Sequence, residues 1–260
     1  MKKVLITGAN SYIGTCFEKY MLQFSSDFCV ETIDMRGDSW RQKDFSSYYA
    51  VFHVAGIVHQ KENKKNSELY YKVNRDLAEE TAKKAKEEGV KQFVFLSSMS
   101  VYGLEQGVIT KETLPNPKSN YGKSKLQAEE RILLLADKNF KIAILRPPMV
   151  YGEGCKGNYQ TLIKIAKKFP FFANYRNQRS MVEINVLCEF VKKIIEEYRQ
   201  GLFFPQNKEY VCTCKMIQEI AEKNGKKLKL YSVFNPLIFV LKLFTKKGKK
   251  AFGNLTYERE

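Results

Sequence analysis

The sequence predicts an α/β fold, a doubly wound parallel sheet followed by a smaller, mostly helical C-terminal portion, and three observations carry the prediction. Short apolar runs at Lys2 to Thr7, Phe28 to Ile33, Val51 to Val54, Gln92 to Leu96 and Lys141 to Leu145 alternate with stretches whose apolar residues recur at helical spacing. Such runs suit strands covered on both faces. Several of them break off into small or polar residues, as at Gly8, Ala55-Gly56 and Ser97-Ser98. Beyond Pro147-Pro148 the alternation stops, which marks a boundary. Residues 1–152 therefore form the main domain, and 153–260 a substrate-binding portion interleaved with the last sheet strands.

The first strand ends in Gly8-Ala9-Asn10-Ser11-Tyr12-Ile13-Gly14, after which Phe17, Tyr20, Met21 and Phe24 recur at helical spacing. A strand, tight turn and helix gather backbone N–H groups and the positive end of the helix dipole at one point, which suits a pyrophosphate. Gly8 permits the turn and Gly14 the close helix–strand packing. The second strand ends at Asp34, twenty residues past Gly14, where a carboxylate accepts from the ribose of NAD. Arg36 weakens that preference, because a guanidinium there suits the extra phosphate of NADP. Asp44 reads either as a contact to the adenine amino group or as a solvated loop aspartate.

The third strand leads into Val54-Ala55-Gly56, where small residues let the backbone approach a cofactor. His53, inside the strand, reads as a satisfied core histidine, and His59 beyond it as a loop residue or a substrate contact. Glu68 to Glu88 reads as one long helix closed by Gly89, with Asn74 next to its apolar side. The fourth strand runs into Ser97-Ser98-Met99-Ser100, whose hydroxyls are placed to hold a reacting oxygen or simply to cap the strand end. Tyr121 and Lys125 open the next helix, read as Tyr121 to Asp137, and lie one turn apart on one face. A lysine ammonium beside a tyrosine stabilises the phenolate and brings proton exchange nearer to neutral pH. Beyond the boundary, helices are expected at Asn158 to Lys168, Asn185 to Tyr198, Met216 to Lys223 and Pro236 to Phe244, with a strand at Lys208 to Cys212.

Composition narrows the partners. The 260 residues are 44% hydrophobic with no long Pro, Ser or Gly tract, so the chain buries a sizeable core. Its net charge of +16 comes mostly from lysines spread over every segment, without the arginine and aromatic stripe of a nucleic-acid face. The six cysteines include no C-x-x-C pair, and Cys212 and Cys214 are expected on one face of a strand, so reduced thiols and no metal site follow. No signal peptide precedes the first strand and no apolar run reaches a spanning length, which predicts a cytoplasmic protein. Residues 236–250, apolar and then lysine-rich, read as a packed helix with a basic end, with membrane-surface contact the minor reading.

Five of these stretches stand in a telling order. Thr7-Gly8 to Gly14, Val51 to Gly56, Ser97-Ser98 to Gly103, Tyr121 to Lys125 and Leu145-Arg146-Pro147 to Gly152 resemble the extended short-chain dehydrogenase/reductases, in the nucleotide-sugar epimerase/dehydratase branch, which have a Rossmann-type fold. Arg146 to Gly152 running on to Tyr159, then Asn177 to Ser180 and Phe252 to Tyr257, resemble bacterial capsule and O-antigen enzymes that reduce a UDP-4-keto-6-deoxy-N-acetylhexosamine. The resemblance implies Ser98, Tyr121 and Lys125 as catalytic residues, with Lys125 on the nicotinamide ribose and Pro148 also at the cofactor. It implies NAD(H) or NADP(H) as cofactor, with Arg179 on the UDP pyrophosphate and Asn158 at the nucleotide sugar; Ser100 and His59 are the further candidates for a substrate contact. A homodimer through a four-helix bundle of the 68–88 and 121–137 helices follows from the same source.

Departures from the pattern also speak. Ser11 stands where the family turn has glycine, and similar proteins run on some tens of residues past Glu260, which implies a shortened substrate portion. Dehydratases carry Asp-Glu directly after the motif hydroxyl; Met99 and Ser100 stand there, against water elimination. Reduction and 4-epimerisation share one catalytic set and stay open between them. A cofactor-sensing or nucleic-acid-binding module would dispense with Tyr121 and Lys125, and both are present.

Overall fold

The structure is a computed structural model that describes residues 1–58 and 67–259. By its internal contacts the chain divides into two units. The first comprises residues 1–103, 115–150 and 182–206, and the second 104–114, 151–181 and 207–260.

The first unit is built on six parallel strands: β1 (Lys2–Thr7), β2 (Phe28–Ile33), β3 (Ala50–His53), β4 (Gln92–Leu96), β5 (Lys141–Leu145) and β6 (Gly201–Phe203), in the spatial order β6-β5-β4-β3-β1-β2. The order reverses beside β1, and ligands of such sheets bind outside the strand ends at that reversal. Its helices are α1 (Tyr12–Met21), α2 (Ser67–Tyr71), α3 (Leu77–Glu87), α4 (Asn120–Leu133) and α5 (Ile184–Glu196). Because the strands are apolar on both faces, two cores form. Val4, Ile6, Phe52 and Val94 pack with Phe17 of α1 and Leu187 and Val191 of α5. Leu5, Val51, Phe93 and Ile142 pack with Ala78 and Ala82 of α3 and Ala128 and Ile132 of α4.

The sequence misjudges three details here. The helix expected over 68–88 is interrupted by a π-helical turn at Lys72–Asp76, where the buried Asn74 bonds outward. α4 stops at Leu133, short of Asp137, because the Asp137 carboxylate accepts from Asn139 and Phe140 N–H (2.8 and 3.0 Å) and turns the chain into β5. Strand β6, three residues long, gives no periodic signal.

The second unit holds two parallel strand pairs, Phe171–Ala173 with Lys229–Tyr231 and Gly107–Ile109 with Leu255–Tyr257. Helices Asn158–Lys168 and Thr213–Lys223 pack together, and Asn235–Phe244 packs on Lys246–Phe252. The strand expected at Lys208 to Cys212 does not form. Only Val211 pairs, with Arg179 (2.8 and 3.0 Å), and Cys212 is already the cap of the next helix. Cys212 and Cys214 therefore lie at a helix start rather than on a strand, and both thiols donate to Tyr175 O (3.6 and 3.1 Å). No helix among the described residues is long and apolar enough to cross a membrane.

Candidate active site

The first element of the site is the turn after β1. Gly8 has φ +104°, and its N–H and that of Ala9 both donate to Ile33 O (2.9 and 3.0 Å), locking the turn to the end of β2. A Cβ on Gly8 would come within 3.0 Å of the Ala55 backbone. One on Gly14 would meet Ser11 Oγ at 2.6 Å and the Ile6 and Val54 methyls at 3.2 Å. Asn10 takes the left-handed conformation at φ 63°, which asparagine tolerates. Ser11, in the place of a glycine, caps α1 by accepting from Gly14 N (3.2 Å), while Tyr12 and Ile13 pack on the core beneath. This cradle, closed by backbone and open at a helix N-terminus, fits a dinucleotide pyrophosphate.

Asp34 and Arg36 turn out to be partners rather than rivals. The guanidinium forks onto the carboxylate (Nε 2.9 and 3.1 Å, Nη2 2.5 Å) and holds its pKa down to about 2. Asp44 is exposed and accepts from Ser46 N and Oγ (2.8 and 2.9 Å), a loop-closing turn that depresses its carboxyl. Val54 and Ala55 are buried after β3, and a Cβ on Gly56 would lie 3.0 Å from Asn74 Oδ1 and 3.4 Å from Lys125 Nζ. A side chain at Gly56 would thus fill the space beside Lys125.

The hydroxyl group of the site comes from two elements. Ser98 ends the segment after β4; its Oγ accepts from Ser100 N (3.1 Å) and donates to Ser100 Oγ (3.2 Å). Tyr121 opens α4 after the Ser119 cap, and the Ser98 hydroxyl acts on its phenol. Burial pushes the Tyr121 phenol up to about 12, and the Ser98 hydroxyl pulls the other way. The expected depression by Lys125 is absent, because the ammonium donates to Leu96 O (2.8 Å) and sits 4.6 Å from the Phe95 ring centroid. Burial lowers Lys125 to about 8, opposed by Glu129.

Two supporting arrangements escaped the sequence reading. Glu129, one turn beyond Lys125, is buried with Arg146, whose guanidinium forks onto it (Nε 3.1 Å to both oxygens, Nη2 2.5 Å). Ser97 donates to Glu129, and Arg146 Nη1 donates to Tyr102 OH at 2.8 Å, so one network ties the ends of β4 and β5 to α4. Asn74 donates to Ile57 O and Ser124 Oγ (3.1 Å each) and accepts from Ile57 N (2.9 Å). A charged residue at Lys125 plus four and an asparagine inside an apolar helix were the available signals. His53 is only half satisfied: Nδ1 pairs with Thr7 Oγ1 (2.8 Å), Nε2 has no partner among the described residues, and burial lowers its pKa to about 3.

The remaining expectations fall elsewhere. Pro148 is buried just beyond β5. His59 lies outside the described residues. Asn158 and Arg179 belong to the second unit. Asn158 is exposed at the start of its helix, and Arg179 donates to Gly253 O (3.0 Å) with no carboxylate partner among the described residues. No cluster of metal-ligating side chains occurs among the described residues.

Comparison with known proteins identifies the family. The model of the NAD dependent epimerase/dehydratase family matches residues 4–202. A UDP-glucose 4-epimerase of Vibrio cholerae is 30% identical over 85% of this chain and 75% of its own length. An N-acetyl-alpha-D-glucosaminyl-diphospho-ditrans,octacis-undecaprenol 4-epimerase of Escherichia coli O157:H7 is 27% identical over 76% of this chain and 64% of its own. Among solved structures, a dTDP-4-dehydrorhamnose reductase from Bacillus anthracis with NADP superposes with TM-score 0.75 at 18% identity, covering 100% of this chain and 91% of that one. A UDP-glucuronic acid 4-epimerase from Bacillus cereus with NAD gives 0.71 at 20%, covering 98% and 88%. At these identities the structures show the fold. The family match, over more than half of the chain, shows more: the chain belongs to the NAD dependent epimerase/dehydratase family and is an NAD(P)-dependent enzyme of the extended short-chain dehydrogenase/reductase type.

Proposed function

We propose that this family member carries out oxidation–reduction at C4 of a UDP-sugar, and that its net reaction is reduction of a UDP-4-keto-6-deoxy-N-acetylhexosamine in surface-polysaccharide synthesis. The observation that carries the C4 chemistry is Tyr121 and Lys125 one turn apart at the start of α4, with the Ser98 hydroxyl at the end of the segment after β4 acting on the Tyr121 phenol. The turn from Gly8 to Gly14, Asp34 or Arg36, Val54 to Gly56, Lys125 and Pro148 would hold the dinucleotide. When bound, the nicotinamide supplies the hydride. Tyr121, protonated at neutral pH with its pKa near 12, gives its proton to the sugar oxygen as a general acid. Ser98 holds that oxygen by hydrogen bond, while Lys125, whose ammonium donates to Leu96 O, is assigned to the nicotinamide ribose rather than to the phenolate. Met99 and Ser100 provide no acid–base pair for water elimination.

A second reading, UDP-hexose 4-epimerisation, is favoured by the names of the Vibrio and Escherichia relatives. It uses the same three residues but returns the hydride to the opposite face and keeps the oxidised cofactor. Cofactor absorbance separates the two. Purified protein given NADH or NADPH with UDP-4-keto-6-deoxy-N-acetylglucosamine should consume reduced cofactor stoichiometrically if it is a reductase. No consumption, with the C4 epimer forming from UDP-N-acetylglucosamine alone, would assign the epimerase. The family resemblance also suggests a homodimer through the segments 68–88 and 121–137, which light scattering tests.

A further inference from the structure

Helix Asn235–Phe244 in the second unit carries its apolar side chains outward. Leu237, Val240, Leu241 and Phe244, at positions i, i+3, i+4 and i+7, are all exposed, Leu237 by 59% and Phe244 by 80%. Val233, four residues before Leu237, continues the stripe, and Ile238 is the helix residue that enters the core with Ala173, Cys214 and Phe252. Apolar residues at this spacing normally form the buried face of a helix. Here they face away from the core.

The neighbouring helix supplies charge. A Cβ on Gly248 would come within 2.1 Å of Leu241 O, so the glycine lets Lys246–Phe252 abut the apolar helix directly. That helix has four lysines in seven residues, and from Lys223 to Tyr257 the chain has nine lysines and no aspartate or glutamate. Lys250 is exposed. Lys249 and Lys242 line a cavity with Phe239, Leu243 and Glu105, the carboxylate that faces them, and Lys242 also donates to Tyr175 OH at 2.8 Å.

Charge selects among the surfaces that could cover this stripe. A second copy would set one lysine-rich segment against another, whereas anionic headgroups complement it. We propose that residues 233–252 dock this protein on the surface of an anionic bilayer, with Val233, Leu237, Val240, Leu241 and Phe244 entering the acyl boundary and Lys249 and Lys250 meeting lipid phosphates. With 10 residues, this helix is too short to cross a bilayer and would lie in its interface.

Flotation of the purified protein with vesicles tests the assignment, one set of phosphatidylcholine alone and one of phosphatidylcholine mixed with phosphatidylglycerol. Binding should be at least about tenfold tighter to the mixed vesicles and weaken with added salt. The double substitution Leu237→Ser/Phe244→Ser should lower it by about tenfold or more, and Lys250→Ala by about fivefold, neither changing the melting temperature. Equal, weak binding to both vesicle sets would overturn the proposal. Salt-sensitive binding indifferent to the double substitution would reduce it to adsorption of a cationic protein and overturn it as well. Self-association abolished by the double substitution, without vesicle binding, would give the stripe to a second copy.

Discussion

Two carboxylate–guanidinium forks stand in the first unit with nearly the same geometry and opposite surroundings. Glu129 and Arg146 make theirs with side chains 2% and 8% exposed, while Asp34 and Arg36 make theirs with 42% and 84% exposed. Each closes at 2.5 Å. The difference is what the fork can do next. The buried pair cannot be opened without leaving a charge in the interior, so it serves as a fixed brace behind Lys125. The exposed pair is screened and weak, and so Asp34 can exchange Arg36 for a ribose hydroxyl, or Arg36 can leave it for a phosphate.

Removing one partner of each fork should separate the two. Glu129→Ala should destabilise the protein by about 3–5 kcal/mol, measured by urea unfolding, because Arg146 is stranded in the core. A loss below about 1 kcal/mol would mean that water reaches Arg146 and that the brace is not buried in solution.

His53, which shares this interior with Lys125, extends the comparison to pH. Its folded pKa, lowered to about 3, lies below the unfolded value, so between pH 6.5 and 3 the unfolded chain binds a proton that the folded chain refuses. Stability should therefore fall on acidification below pH 6.5, with this residue contributing up to about 1.4 kcal/mol per pH unit. His53→Gln should flatten that slope in a pH series of unfolding curves; an unchanged slope would place the cause elsewhere.

The smallest effect on stability belongs to the exposed fork. Arg36→Gln should change stability by less than about 1 kcal/mol. It should nevertheless move cofactor choice toward NADH by freeing Asp34, and Asp34→Ala should move it toward NADPH. Fluorescence titrations with both cofactors check this, and unchanged preference in both variants would remove the pair from cofactor recognition.

These contrasts mark where the sequence is legible. Strands β1, β2, β4 and β5 could be read to the residue because each is an apolar run with an abrupt end, and Tyr121 and Lys125 because their spacing is set by one helix. Glu129 could not be distinguished from its neighbours Glu130 and Arg131, because what draws it inward is Arg146, a partner from the end of another strand. The Asn74 turn was hidden for a related reason: its hydrogen bonds go to Ile57 and Ser124, far away in sequence. Residue types alone set Asp34 and Arg36 against each other, since their pairing depends on a turn that residue types leave open. The apolar stripe on 233–244 misled in the opposite direction, since periodicity reports an amphipathic face and not what covers it.

The proposed chemistry is hydride exchange at the sugar C4 with Tyr121 as the acid. It is tested most directly by a single turnover with NADH or NADPH carrying deuterium at nicotinamide C4 and UDP-4-keto-6-deoxy-N-acetylglucosamine as substrate, read by NMR and run in parallel with Tyr121→Phe. Deuterium should appear at sugar C4, and the rate should be lower by about two to four orders of magnitude in the variant, with cofactor affinity unchanged. Deuterium elsewhere in the sugar, or a Tyr121→Phe rate equal to that of the unaltered protein, would contradict it.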